Sequence, residues 1–494
     1  MVSKLREKIS ILKKKKLKIG LVHGVFDVLH LGHIIHFEQA KKKVDFLIAS
    51  VTSDKYVNKS PGKPIFKINQ RMKMLNHVKE IDFVIESNFE TAEENIKLIK
   101  PNFFFKGTEY KNFDVTGNID NELKLVKKFG GQTIFTDGDV FSSSKVINNA
   151  FSYLSEDVKK FLKRINILKL KNKLPLLQNV NKKVLVIGDQ IIDTYKMVNL
   201  SGKSNKASII STQYLNETSY GGGTILVANI LSKFLKNVDF LYPGNSQNDK
   251  ILNKFLEKKV KKIKYPSNVN FIKKIRYIDS YSGNKLFQNS LNENDKHSKI
   301  DSLKFIKTLD HIIKKYDLIY LFDFGYYTFE KDIHKLIKKN KNKFIINCQS
   351  NSYNFGFNIA TKFNKGSSIS MDETEYRLCK QNKNKSLNEL LSDKKNLFKN
   401  FKELIVTSGK NGSHILSKNK INFTPAFFQN LIDGNGCGDV FLTIYSVARN
   451  LCKYTIHEAS IISHICAGIH GSYIGNKNYI DYQKLFKVTD NILK

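Results

Sequence analysis

The sequence predicts an α/β protein built as two domains in tandem, and three observations predict it. Short apolar runs, among them Ile19–Val22, Phe46–Val51 and Val184–Ile187, alternate with stretches of helical period. That alternation is the layout of a parallel sheet covered by helices. Two glycine-bearing turns, Gly24–His33 and Asp433–Asp439, each lead into a helical stretch, one in each half. The 494 residues also exceed what a single core organises, which is roughly 250–300.

In the first half, the strand at Ile19–Val22 runs into Gly24-Val25-Phe26-Asp27-Val28-Leu29-His30-Leu31-Gly32-His33, and a helix is expected over Ile34–Lys43. Two histidines three apart therefore stand where a strand hands over to a helix N-terminus. Backbone N–H groups and the positive end of the helix dipole suit a polyphosphate there. The imidazoles supply hydrogen bonds as charge builds up in a transition state. The strand Phe46–Val51 ends in Thr52-Ser53-Asp54, and the turn-rich loop Lys59–Pro64 carries two lysines. Arg71, one of only six arginines, opens a helix with Gln70 and Met72, and its planar fork suits a phosphate. A strand at Phe103–Phe105 leads into Lys106-Gly107-Thr108-Glu109-Tyr110. Three consecutive hydroxyls, Ser142, Ser143 and Ser144, precede a further helical stretch. One serine there would be an N-cap, but three favour an anion site.

Gly24–His33 resembles the GxFDxxHxGH signature of the cytidylyltransferase-like nucleotidyltransferases. Lys106–Tyr110 is similar to that family's KGxDY segment. Ser142–Ser144 is similar to its SSTxI motif, with Ser144 in place of threonine. The resemblance implies a Rossmann-like domain over residues 1–150 and a mobile basic loop at 59–64. It implies catalysis by His30, His33 and Lys106, and nucleotide contacts from Gly24, Phe26, Asp27, Gly32, Arg71 and the three serines. The implied reaction is attack of a sugar or polyol phosphate on the α-phosphorus of CTP or ATP, aided by Mg²⁺. Pyrophosphate leaves and no covalent intermediate forms.

The second half carries different chemistry. Asp433-Gly434-Asn435-Gly436-Cys437-Gly438-Asp439 places three glycines before an acid and an apolar helix, Val440–Val447. Glycines let successive N–H groups point into one concavity, an anion nest, beside which an Asp accepts a hydroxyl proton. The segment resembles the DTxGAGD signature of the PfkB (ribokinase-like) carbohydrate kinases, with Cys437 in place of alanine. The resemblance makes Asp439 the base and Gly436, Cys437 and Gly438 the nest.

Further segments resemble that family in order. Val184–Asp189, with Asp193 following, is similar to its opening strand, whose acids hold sugar hydroxyls. Gly221-Gly222-Gly223 is similar to its GGAxxN element, although Ile225 stands where a substrate-contacting asparagine is expected; Asn229 matches a more structural one. Asn199–Leu215 and Phe271–Tyr281 read as strands of a small β-sheet lid, with Lys274 and Arg276 facing a substrate phosphate. Asp372–Glu375 is similar to NxxE, making Glu375 the residue that organises Mg²⁺, with Asp372 a second departure. Thr407, Gly409 and Gly412 are similar to the ATP-binding TxGxxG segment. Asp433 completes the implied sugar contacts. The two departures leave open a kinase half that binds a sugar without phosphorylating it.

Phe151, Leu154, Val158, Leu162, Ile165 and Leu168 recur at helical spacing, so residues 151–182 read as a helical linker. Its apolar face is expected to pack on a domain or on a second subunit, as in a homodimer. The kinase-like domain then spans 183–494. A formal charge of +37 comes from 82 basic residues, nearly all of them lysines spread along the whole chain. A nucleic-acid binder concentrates charge on one face and favours arginine, so no specific nucleic-acid partner is expected. Five scattered cysteines without metal spacing suit a reducing cytoplasm. No apolar run approaches the roughly 18 residues of a membrane span. The two resemblances together are those of the fused cytidylyltransferase-like/PfkB proteins of surface-polysaccharide and lipopolysaccharide synthesis. They are similar to the bifunctional enzyme of ADP-heptose synthesis, with the domain order reversed.

Overall fold

The computed structural model describes residues 2–57, 64–107, 118–136, 154–204, 207–291, 299–326, 331–393, 396–428, 431–477 and 479–493. The chain forms two compact units, one of Met1–Leu154 with Gln483–Lys494 and one of Ser155–Tyr482.

The first unit is organised by β1 (Ile19–Gly24), β2 (Phe46–Thr52), β3 (Phe83–Ser87), β4 (Phe103–Gly107) and β5 (Gln132–Thr136). They form one parallel sheet in the order β3-β2-β1-β4-β5. The strands are continuously apolar because both faces are covered. Ile19, Leu21, Ile48, Ile85 and Phe104 pack on one side with Leu5, Ile9, Ile96 and Val126. Val22, Leu47, Ala49, Val51 and Phe105 pack on the other with Phe37, Ala40 and Leu75. Chain order reverses between β1 and β4, so the crevice beyond their carboxyl ends is where a doubly wound sheet takes its ligand. His30 lies just past β1 and starts the helix Leu31–Lys41.

The second unit contains β6 (Val180–Gly188), β7 (Gln190–Lys203), β8 (Ile210–Gly223), β9 (Leu235–Gly244), β10 (Lys261–Pro266), β11 (Ile272–Asp279) and β12 (Lys285–Leu291). It continues with β13 (Leu318–Asp323), β14 (Phe344–Cys348), β15 (Gly366–Asp372), β16 (Phe401–Thr407), β17 (Ser413–Ser417) and β18 (Lys420–Thr424). A nine-stranded sheet runs β10-β9-β6-β13-β14-β15-β16-β17-β18. It is parallel as far as β16 and antiparallel through the last two strands. A small four-stranded sheet, β12-β11-β7-β8, stands apart from it as the expected lid.

Two expectations need correction. Asn199–Leu215 is not one strand: it is the tip of the β7–β8 hairpin, with Lys203 opposite Ile210 and Gly202 at φ +94° relieving the bend. The linker is not one helix. Ser155 caps Glu156–Leu162, and Asn166 caps a second helix, Ile167–Lys173, by accepting from the Lys169 N–H at 2.9 Å. An internal capping residue restarts the helix and turns Leu168 outward, leaving it 70% exposed. The segment belongs to the second unit, where Lys173 pairs with Glu458 at 2.6 Å and its carbonyl accepts from the Tyr454 hydroxyl. Phe151 lies outside the described residues. All five cysteines are free, and among the described residues no helix is long and apolar enough to cross a membrane.

Candidate functional sites

In the first unit, the polypeptide leaves β1 through a left-handed Phe26 at φ +46°. That turn drives the Phe26 ring into the core, edge-on to His33 at 5.5 Å and to Phe37 at 5.3 Å. His30 is extended (φ −144°, ψ 169°) and caps the helix with its carbonyl, which accepts from the His33 N–H at 2.9 Å. The His30 side chain makes no cap hydrogen bond to this N-terminus, and the His30 and His33 rings stack 3.9 Å apart beside it. The two expected histidines are therefore brought together at a helix start.

Other expected contacts have different work. Arg71 is fully buried, and its guanidinium donates to the carbonyls of Phe66, Val25 and Thr52 and to Asp54 at 2.7 Å. It ties together the loops that follow β1 and β2. Asp27 accepts from the N–H groups of Ile65 and Phe66, both at 2.9 Å, so it anchors the chain beyond the 59–63 stretch. Phe26 is a packing residue. Lys106 is nine-tenths buried and paired with Glu122 at 2.8 Å, and Glu122 also accepts from the Ala92 N–H. Ser142, Ser143, Ser144 and the 108–110 end of the KGxDY-like segment lie outside the described residues, as do residues 58–63.

Two histidines escaped sequence reasoning. His23 bonds Ser50 Oγ at 2.7 Å, and Asn95 joins Ser50 to Ser87 across β2 and β3. His36 meets Thr136 Oγ1 at 2.5 Å. Burial, then the Lys106 charge, pushes His23 down to about 3 and His36 to about 4. Both are neutral imidazoles at ordinary pH. Strand parity was the available signal for His23, which sits two residues after the inward-pointing Leu21.

In the second unit, Gly436 is left-handed at φ +76° and caps the helix Cys437–Ser446, placing Asp439 in its first turn. Asp439 Oδ1 accepts from Asn347 Nδ2 at 2.8 Å and from Gln349 Nε2 at 2.7 Å. Burial is the largest influence on this carboxyl and raises it to about 7; Gln349, Lys274 and Asn347 restrain the rise. A cavity of about 110 Å³ opens beside this helix start, lined by Thr407, Gly409, Gly412, Cys437 and Gly438 among others. Five residues expected to hold ATP thus share one pocket, whose further lining by Phe427, Phe428 and Phe441 suits an apolar base.

Asp193, Arg276 and Lys274 come together across β7 and β11. Asp193 pairs with Arg276, and Gly222 leaves room for it, since a Cβ there would lie 2.0 Å from Asp193 Oδ2. The Lys274 ammonium sits over the Phe324 and Tyr326 rings at 5.8 and 5.3 Å, and burial lowers its pKa. Gly221 packs on Ile225, a buried core residue, and Asn229 binds the backbone of Phe255 and Glu257.

Three acids expected at ligands make hydrogen bonds within the protein. Asp189 Oδ2 accepts from the N–H groups of Phe324 and Tyr326. Asp433 accepts from Tyr195, Lys285, Asn435 and Gly475, anchoring the glycine turn, and these donors hold its pKa below the usual range despite burial. Glu375 closes a capping box with Asp372 and also accepts from the Ser350 N–H, both at 2.7 Å. Burial, then Asp372, raises it to about 8. Among the described residues no cluster of three metal-ligating side chains occurs.

Comparison with known proteins matches these two sites separately. Residues 21–149 match the Cytidylyltransferase-like family, and residues 181–449 match the pfkB family carbohydrate kinase. The Bifunctional protein HldE of Aliarcobacter butzleri is 38% identical over 135 residues, 27% of this chain and 28% of that protein. Its counterpart from Campylobacter jejuni subsp. doylei is 36% identical over 144 residues, 28% of this chain and 29% of that protein. The chain thus spans less than a third of the length of the curated relatives it matches. Among solved structures, Thermotoga maritima ribokinase is 17% identical and covers 62% of this chain and 98% of its own, with a TM-score of 0.46. Arabidopsis thaliana ribokinase, complexed with ribose and ATP, is 15% identical and covers 64% and 99%, with a TM-score of 0.48.

Proposed function

The chain belongs to the pfkB family of carbohydrate kinases, and on that premise we propose that it is a bifunctional enzyme making a nucleotide-activated sugar or polyol. The second unit phosphorylates a sugar or sugar phosphate with ATP, and the first transfers a nucleotidyl group from CTP or ATP to a sugar phosphate. Joined units of these two types, and the HldE proteins among the relatives, support a product destined for a cell-surface glycan or lipopolysaccharide.

The observation that carries the reading is Asp439, a buried carboxyl raised to about 7 in the first turn of a helix whose cap is a left-handed glycine. A base with that pKa takes a hydroxyl proton near neutral pH. The freed oxygen attacks the γ-phosphorus, ADP leaves, and the N–H groups at the helix start hold the transferring group's charge. Lys274, nine-tenths buried with its ammonium over the Phe324 and Tyr326 rings, supports an anionic sugar substrate. Mg²⁺ supplies charge neutralisation on the nucleotide phosphates in both reactions. In the first unit His30 and His33 face the developing charge at the α-phosphorus, and Lys106 lies at the end of the neighbouring β4. The three serines complete that reading. A homodimer and a cytoplasmic location belong to it too, and the exposed Ile210, Tyr214, Phe287 and Leu291 of the small sheet support self-association.

Incubation with the four nucleoside triphosphates and a panel of sugars and sugar phosphates tests this. Sugar-dependent nucleoside diphosphate and sugar-phosphate-dependent pyrophosphate are expected. Pyrophosphate without any diphosphate would favour a kinase-like module that only binds sugar.

A further inference from the structure

Asn347 is the penultimate residue of β14, and Gln349 follows the strand's last residue, Cys348, so the two stand two apart, the spacing that brings side chains to one face. Both amides converge on one atom, Asp439 Oδ1, at 2.8 and 2.7 Å. An amide NH₂ donates and accepts no proton, so an oxygen holding two of them is the poorer place for one. We propose that Asn347 and Gln349 are positioning residues that lock Asp439 Oδ1 and leave Oδ2 as the atom that takes the substrate's proton. The inference rests on the kinase reading and adds to it two residues from another strand, which no glycine-turn motif contains.

The step balances simply. The substrate O–H bond breaks, its proton goes to Oδ2, and the oxygen's electron pair forms the bond to phosphorus. Two charge-assisted hydrogen bonds on Oδ1 fix the carboxyl plane, so Oδ2 does not rotate away from the nest. They also favour the ionised form, which burial and the charges of Asp193 and Glu375 oppose and Lys274 supports. Cys437, on the same helix, is pushed up to about 12 and stays a neutral thiol beside it.

The test is Gln349→Met in the full chain, which keeps length and bulk and removes one donor. Its acid limb in kcat/KM for sugar-dependent ADP formation should move up by about one pH unit. At pH 6 the rate should fall about tenfold, with KM for ATP little changed and most of kcat recovered above pH 8.5. Asn347→Leu should act in the same direction, and the double variant further. A loss of rate equal at every pH, or an unmoved acid limb in a folded variant, overturns the assignment. A ¹³C carboxyl titration, with the Asp439 signal identified by its absence in Asp439→Asn, reads the same shift without turnover. If the wild type transfers no phosphoryl group, the kinase reading fails and that titration alone decides this one. An Asp439 signal with the same midpoint in wild type and Gln349→Met overturns it.

Discussion

In the proposed function the two units hold a polyphosphate at a helix start with opposite materials. The first uses imidazoles against a helix entered through a strained phenylalanine, and the histidines that flank them, His23 and His36, are kept neutral by burial. The second uses bare backbone at Gly436 and buried carboxyls pushed toward neutrality, Asp439 and Glu375. In both, the charged residues nearest the turn mostly serve the protein. Arg71 and Asp27 bind loops in one unit, and Asp189 and Asp433 bind loops in the other. A turn that must present N–H groups to an anion gives up its own regular hydrogen bonds, and buried charges replace them.

The largest effect expected from that comparison is on stability. Arg71→Met leaves three carbonyls and Asp54 without their donor, and the first unit should lose about 3–5 kcal/mol in denaturant. The second unit should melt unchanged. An equal loss in both would break the independence of the two units. Next come His30→Ala and His33→Ala, each expected to lower pyrophosphate release by about 10²-fold or more while nucleotide binding changes less. Wild-type release from both variants would sink the histidine site.

The comparison sharpens in pH. Asp439 rises from 3.8 to about 7 on folding, so its contribution to stability is present below about pH 4 and lost as pH rises through 7. Asp439→Asn should therefore melt higher than wild type at pH 8, with the gap closing by pH 4. His23 falls from 6.5 to about 3, so its contribution is present above 6.5 and lost on acidification toward 3. Removing it as His23→Gln should flatten the first unit's acid sensitivity by a few degrees between pH 6 and 4. Parallel pH slopes in the two variants would contradict the contrast. The smallest effect belongs to Glu375. As a helix cap, Glu375→Gln should cost about 1 kcal/mol and shift Mg²⁺ dependence little, and loss of Mg²⁺ activation would return it to the metal.

The sequence made the backbone-defined features legible: the α/β layout of each unit, the His30–His33 pair and the pocket joining Thr407, Gly409 and Gly412 to Cys437 and Gly438. Glycine spacing and apolar runs constrain the chain locally, so they are read locally. Partners across the fold were not legible. The letters of Arg71 and Asp433 announce charge but not that four protein donors or acceptors surround each. Asn347 and Gln349 carry no motif, and they reach Asp439 only because β14 is central in the sheet. The linker reads as one helix because Asn166 fits a polar position of the helical period, whereas its side chain starts a new helix.

The central claim is that one chain holds two chemistries on separate residues. The most direct measurement follows both products in the same protein: sugar-dependent ADP and sugar-phosphate-dependent pyrophosphate, in wild type, Asp439→Asn and His33→Ala. The account predicts that Asp439→Asn loses ADP formation by at least about 10²-fold and keeps pyrophosphate release, and that His33→Ala does the reverse. Loss of both products in either folded variant would contradict it.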